Sequence, residues 1–228
     1  MLNLFNVSQF TPLIFASKDA FTSPNELLDI LRYCAVISVR FNGVGRRSTH
    51  ILEEVYNRAA LEVRRGTATT LAAVRQVLRP IYIPDDEFEA DFSALRLRNR
   101  STSGKRLRYF LARIEKHLSG SDISDDAMTA TVEHILPENP GEADWEHFSM
   151  EAHERSYERV GNYSLLERDL NGQQAGNAAF AQKQKVYAHS QYQTSKELGQ
   201  FTDWTEDTIA KRQANMAKVA KAIWKLAD

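Results

Sequence analysis

The sequence predicts a mainly α chain with a small α+β segment toward its carboxy end, and three observations carry that reading. Apolar residues recur at helical spacing through most of the first 118 positions. The β-branched run Thr129–Leu136 and the shorter Gly161–Leu166 read as strands, and Asn177–Tyr187 reads as the helix after them. Finally, Glu206–Leu226 repeats Ile209, Gln213, Met216, Val219, Ala220, Ile223 and Trp224 as one long amphipathic helix.

The elements come in order. Pro12 precedes Leu13, Ile14 and Phe15, and Ser23-Pro24-Asn25-Glu26 is a capped start for a helix carrying Leu27, Leu28, Ile30, Leu31 and Val36. Asn42-Gly43-Val44-Gly45 breaks it. Ser48–Arg65 is the next helix, stopped by Gly66, and Thr70–Leu78 another, ended before Pro80. Lys105–Leu118 is a helix whose apolar stripe is Leu107, Phe110, Leu111 and Ile114. The run Ser119-Gly120-Ser121-Asp122, with Ser124-Asp125-Asp126, reads as a linker. It divides a helical domain over 1–124 from a second domain over 125–228.

Composition narrows the function classes without choosing one. With 228 residues, 43% of them hydrophobic, and a formal charge of −1, the chain is long enough for a buried core and is not a uniformly basic nucleic-acid coat. Cys34 is the single cysteine, which excludes an internal disulfide and a cysteine-based zinc knuckle. The longest apolar run, Tyr33–Val39, ends at Arg40, far short of the roughly 20 residues that span a bilayer. The start Met1-Leu2-Asn3-Leu4-Phe5-Asn6 has no basic-then-apolar export pattern, so a cytoplasmic protein without a membrane segment is expected.

Charge is segregated. Asp85, Asp86, Glu87, Glu89 and Asp91 are followed by Arg96, Arg98, Arg100, Lys105, Arg106, Arg108, Arg113 and Lys116. The basic helix has two readings: a phosphate-contacting surface, with Arg106 and Arg108 as substrate-binding residues, or a solvated face paired with the acidic patch.

The chemistry concentrates in Thr131-Val132-Glu133-His134-Ile135-Leu136-Pro137, then Gly161-Asn162-Tyr163-Ser164-Leu165-Leu166, then Asn171, nine positions after Asn162. Hydrolysis of a phosphodiester needs a base for water, a cation for the charge on phosphoryl and leaving oxygens, and a group that orients the base. Histidine supplies a base near neutral pH. A carboxylate and an amide oxygen are hard ligands suited to Mg²⁺ or Mn²⁺, which keep several waters and so need few protein ligands. Lys183 is a further candidate for contact with substrate phosphate, although a surface lysine is the simpler reading. His147 and His153 read as solvated polar groups, and Trp145, Trp204 and Trp224 as core.

Glu133-His134-Ile135-Leu136-Pro137 with Asn162 and Asn171 resembles the Asp-His-Ile-Val-Pro, Asn, Asn pattern of HNH (ββα-metal) nucleases, down to the nine-residue interval. With Trp145, Phe180, Lys183, Trp204 and Trp224, the stretch 129–226 is similar to the carboxy-terminal domain of GmrSD-type restriction systems, anti-phage nucleases that cut modified DNA. The resemblance implies a helical amino-terminal region followed by a ββα-metal core with a long carboxy-terminal helix. It implies His134 as general base, Asn162 as its orienter, and Glu133 with Asn171 as metal ligands. It further implies phage or modified DNA as substrate, an amino-terminal sensor or NTPase domain or subunit as partner, and a possible homodimer. Glu133 departs from the family's Asp, and 28 residues separate His134 from Asn162, so an inserted loop or short helix is expected around Trp145–Tyr157. The family's nucleotide-linked Asp-Gly-Gln-Gln-Arg signature does not occur; Asn171-Gly172-Gln173-Gln174-Ala175 is a different segment. The competing reading is a non-catalytic DNA-binding or assembly module on a weakened HNH scaffold.

Overall fold

In the computed structural model of the chain, residues 2–5, 7–120, 130–141 and 144–226 are described. The linker expected around 121–126 and the strand start at Thr129 lie outside them. The fold is mainly α with one small sheet, as the periodicities predict.

Two compact units divide the chain: Met1–Asp91 with Trp224–Asp228, and Phe92–Ile223. This division falls at 91/92, ahead of the 124/125 boundary read from sequence, because the basic helix packs within the second unit. Its residues Leu107, Tyr109–Ala112, Ile114 and Glu115 are all buried.

The first unit contains helices α1 (Thr11–Ala20), α2 (Pro24–Ile37), α3 (His50–Arg64) and α4 (Leu71–Leu78). Thr70 caps α4 by accepting a bond from the Ala73 amide at 3.2 Å. The break expected at Asn42–Gly45 is a π-helical extension of α2 over Ser38–Val44, ending at Gly45. On that extension Arg40 is fully buried. It donates to the carbonyls of Trp224 and Ile83 and to the Asp85 carboxylate, each at 2.7 Å, and lies 4.6 Å from both the Tyr82 and Phe88 rings. A helix missed in the sequence, α5 (Asp85–Ser93), begins in the acidic patch, where carboxylates favour a helix N-terminus. Asp85 pairs with Arg40 and Lys225, and Glu87 and Asp91 with Arg47. Asp85, Glu87 and Asp91 thus have partners outside the basic run 96–116.

The second unit contains α6 (Ser101–Ser119), β1 (Ala130–His134), α7 (Met150–Ser156), β2 (Tyr163–Glu167), the short α8 (Arg168–Leu170), α9 (Phe180–Tyr187), α10 (Gln193–Lys196) and α11 (Glu206–Ile223). The strands pair antiparallel, Ala130 opposite Glu167 and His134 opposite Tyr163. The expected insertion is met by α7 and its flanking turns. Ile135, Leu136, Trp145, Leu166, Phe180, Tyr187, Leu198, Trp204 and Ile209 form the core beneath the hairpin. Two buried polar side chains tie it together. Glu115 of α6 accepts from the backbone amides of Gln193 and Thr194, capping α10. Arg212 of α11 donates to the carbonyls of Gly161, Tyr163 and Thr194. Gly161 is required there, since a Cβ would stand 2.5 Å from the Ile209 carbonyl oxygen.

Candidate active site

His134 is the last residue of β1, and its ring meets the Tyr163 ring edge-on with centroids 4.6 Å apart. Neither ring nitrogen has a hydrogen-bond or ion-pair partner among the described residues. Two cavities border it, one of about 160 Å³ shared with Arg98, Arg100, Glu138, Tyr157, Glu158 and Tyr163, and one of about 210 Å³ shared with Glu133, Glu138, Asn139, Asn171 and Asn177. Burial, with help from the Lys183 and Arg100 charges, lowers the imidazole from its ordinary 6.5 to about 4, although Glu138 pulls the other way. The ring is therefore neutral, with a lone pair available, across the range in which most enzymes work. We expect its NMR titration in the metal-free protein to have its midpoint near pH 4, assigned among the six histidines by its loss in His134→Ala. The unfolded chain takes up that proton first, so this residue's contribution to stability falls as pH drops from 6.5 toward 4, by on the order of 3 kcal/mol. A midpoint near 6.5 would show the ring to be solvated.

Asn162 closes the β1 end. It is fully buried, and its Oδ1 accepts from the Leu136 amide at 2.8 Å and the Trp204 indole at 3.0 Å, while Nδ2 donates to the Leu136 carbonyl at 2.9 Å and the Tyr157 carbonyl at 3.1 Å. Its own carbonyl accepts from Ile135 N at 3.0 Å. Asn162 thus orients His134 through the backbone after it; it makes no contact with the ring of the kind expected of a direct orienter. Asn162→Ala leaves four buried backbone and indole groups short of a partner. We expect a loss of at least about 2 kcal/mol in urea unfolding, with activity falling alongside it. An unchanged midpoint would remove the clamp.

Glu133 is 3% exposed and its Oε1 accepts from Lys183 Nζ at 2.7 Å and Tyr187 OH at 2.8 Å. Lys183 is fully buried and also donates to the His134 carbonyl at 2.6 Å. Lys183 therefore does not reach a substrate phosphate: both the phosphate contact and the surface lysine expected from sequence give way to an internal strut. Burial raises the Glu133 carboxyl against the pull of Lys183 and Tyr187, and lowers the Lys183 amine against the pull of Glu133.

Asn171 opens a π-helical turn over Asn171–Ala175. Its Nδ2 donates to Thr131 Oγ1 at 2.8 Å and more weakly to the Val132 carbonyl at 3.4 Å, which leaves Oδ1 as the uncommitted amide atom on the wall of the larger cavity. Among the described residues no three His, Cys, Asp or Glu side chains gather into a cage. The donors fit a hard cation that takes Asn171 Oδ1 and completes its shell with water and phosphate. Glu133 borders the same cavity, but its Oε1 is already held by the Lys183 ammonium and the Tyr187 hydroxyl, so Asn171 Oδ1 is the readier ligand.

Other sequence candidates are spent on structure. Arg108 donates to the Ala130 carbonyl at 2.7 Å, and half-buried Arg106 also has a partner within the protein; neither borders His134. His147 bonds the Trp204 carbonyl at 2.9 Å, and His153 bonds the Pro137 carbonyl at 2.8 Å while stacking on Tyr157, so neither is the solvated group expected. Trp145, Trp204 and Trp224 are buried, in keeping with the core role expected of them.

A family model described as GmrSD restriction endonucleases, C-terminal domain, matches residues 82–219, more than half of the chain. The chain belongs to that family. The match begins well before 125 and takes in α6 and the His134 hairpin together. No curated protein matches the sequence. Membership of the GmrSD restriction endonucleases implies nuclease activity with DNA as substrate. No helix among the described residues is long and apolar enough to cross a membrane.

Proposed function

We propose that the second unit of this GmrSD-family chain is an HNH (ββα-metal) endonuclease centre, the cutting part of a cytoplasmic, anti-phage, modification-dependent restriction system. One observation carries the reading: a neutral, unpartnered imidazole at the end of a strand, facing a polar cavity, with the backbone around it held by Asn162 and Lys183.

In this reading His134 accepts the proton of a water that attacks phosphorus in line with the leaving 3′ oxygen, giving a 5′-phosphate. Asn162 fixes the loop after β1, and Lys183, bonded to the His134 carbonyl and to Glu133, fixes the strand end from α9. Asn171 Oδ1 would hold a Mg²⁺ or Mn²⁺ ion, which would supply neutralisation of the negative charge that develops during hydrolysis. Glu133 acts through Lys183 and does not ligate. Recognition of the modification falls to a sensor or NTPase domain or subunit, and a homodimer would allow both strands to be cut.

Supercoiled plasmid is the test substrate. Nicking in Mg²⁺ or Mn²⁺ should cease with a chelator and return when metal is restored, and Asn171→Ala should raise the half-saturating metal concentration on the order of 10-fold or more. Nicking that persists undiminished in the chelator would remove the metal. Metal-independent, salt-sensitive DNA binding with no cleavage would favour a non-catalytic DNA-binding module.

A further inference from the structure

Segment 95–98 runs past His134 without helical structure, bridging Arg159 at Arg96, and bends at 99–100. Leu95 and Leu97 are buried, so alternation turns Arg96 and Arg98 outward. The segment is pinned by Leu97 N to the Glu158 carbonyl at 2.9 Å, Val160 N to the Leu95 carbonyl at 3.2 Å, and Tyr163 OH to the Leu97 carbonyl at 2.9 Å. Tyr163 is also the ring against His134, so one side chain sets the distance between the segment and the candidate base. Ser101, at a φ of 50°, then turns the chain into α6 and leaves Arg100 at the lip of the same cavity.

Each arginine of the cavity has a carboxylate partner beside it. Arg98 Nε donates to Glu158 at 2.6 Å, and Arg100 bonds Glu138. The two arginine side chains are 71% and 70% exposed. The Arg100–Glu138 pair is solvated at both ends, Glu138 being 40% exposed, and such pairs are worth little against water; Glu158 is only 11% exposed, so Arg98 exchanges it only for a better anion. A phosphodiester is such an anion, since a guanidinium fork matches phosphate oxygens with two charge-assisted bonds. Glu158 does not depend on Arg98, because Arg96 and Tyr157 also bond it. Arg98 can leave without stranding the buried Glu158 carboxylate, which keeps those two partners.

Resting on the reading of His134 as the base of a nuclease, we propose that Arg98 and Arg100 receive the DNA phosphodiester at His134, and that Glu158 and Glu138 occupy them until DNA arrives. These residues take the place of Arg106 and Arg108 as the phosphate contacts.

The test uses the full chain and short duplex DNA. In the His134→Ala background, where bound DNA stays intact, R98Q/R100Q should weaken binding and reduce the slope of log affinity against log salt by about 2, near 0.9 for each phosphate no longer neutralised. With His134 present, the same pair should lower nicking at least on the order of 10-fold, and R98K/R100K, which keeps charge but loses the fork, should regain only part of it. E138Q should tighten binding when Arg100 is present and have no such effect beside R100Q, which separates release of Arg100 from a general gain in positive charge. An unchanged salt slope and unchanged nicking in R98Q/R100Q, with His134→Ala inactive, would overturn this assignment alone. Undiminished nicking by His134→Ala would instead overturn the reading of His134 as the base, on which the assignment rests.

Discussion

Replacing His134 by alanine is expected to lower plasmid nicking by about 10²–10⁴-fold, the range that a positioned general base contributes, while leaving the fold in place. The separation between the two effects comes from how the residue is held. Its side chain touches the Tyr163 ring and has no hydrogen bond to lose. The position is anchored by backbone: the pairing with Tyr163 across the sheet, and the carbonyl that accepts from Lys183. Alanine keeps both. The urea midpoint of His134→Ala should therefore stay close to that of the wild type, and the loss should appear in the rate. Nicking at the wild-type rate by a folded His134→Ala protein would sink the mechanism, whatever the family. A variant that fails to fold would contradict the geometry, because no buried polar group depends on that ring.

Much of this site is legible in the amino-acid sequence, and the unread part has a physical reason. The order strand, strand, helix and the nine-residue spacing from Asn162 to Asn171 are properties of the chain, and the structure puts both asparagines at the His134 hairpin. Gly161 can be read as a turn residue, but its true constraint is the approach of the α11 backbone, which comes from 48 residues further along. The partners of polar side chains are the hidden quantity. Glu133, Lys183 and Tyr187 are separated by up to 54 positions, and nothing local says that they meet. One signal is available for Glu133. Successive side chains on a strand point to opposite faces, so Glu133 is expected to turn away from His134, toward Lys183 and Tyr187, although both residues border the larger cavity. The alternation of Leu95, Arg96, Leu97 and Arg98 is likewise visible, but only the burial of the two leucines shows which arginines are presented. The helix α6 misleads because its charges stand out in sequence while its backbone is packed, and Arg108 serves a carbonyl of β1.

The Glu133–Lys183 pair supplies the second large effect. Lys183→Met removes the cation from a carboxylate that is 3% exposed and leaves Tyr187 as the remaining bonded side chain. Breaking one side of a buried pair in this way costs about 3–5 kcal/mol, a large share of the roughly 5–15 kcal/mol that keeps a domain folded. Burial already raises the Glu133 carboxyl above its ordinary 4.5, and loss of Lys183 raises it further. Between 4.5 and that raised value the folded protein holds a proton that the unfolded chain has released, so stability falls as pH rises. The deficit of Lys183→Met should thus be small in acid and widest at neutral pH in urea unfolding. Adding Glu133→Gln should recover much of it, since the buried charge is then gone from both partners. This double variant also separates the two roles that Glu133 could have. If the strut acts by holding the His134 carbonyl and strand end, K183M/E133Q will fold, bind metal with little change and cut slowly. A direct metal ligand would show instead as a large rise in the metal concentration needed, with Glu133→Gln alone producing it. A Lys183→Met protein that unfolds like the wild type at neutral pH would mean that Glu133 is already protonated there, and that the strut is a neutral hydrogen bond and not an ion pair.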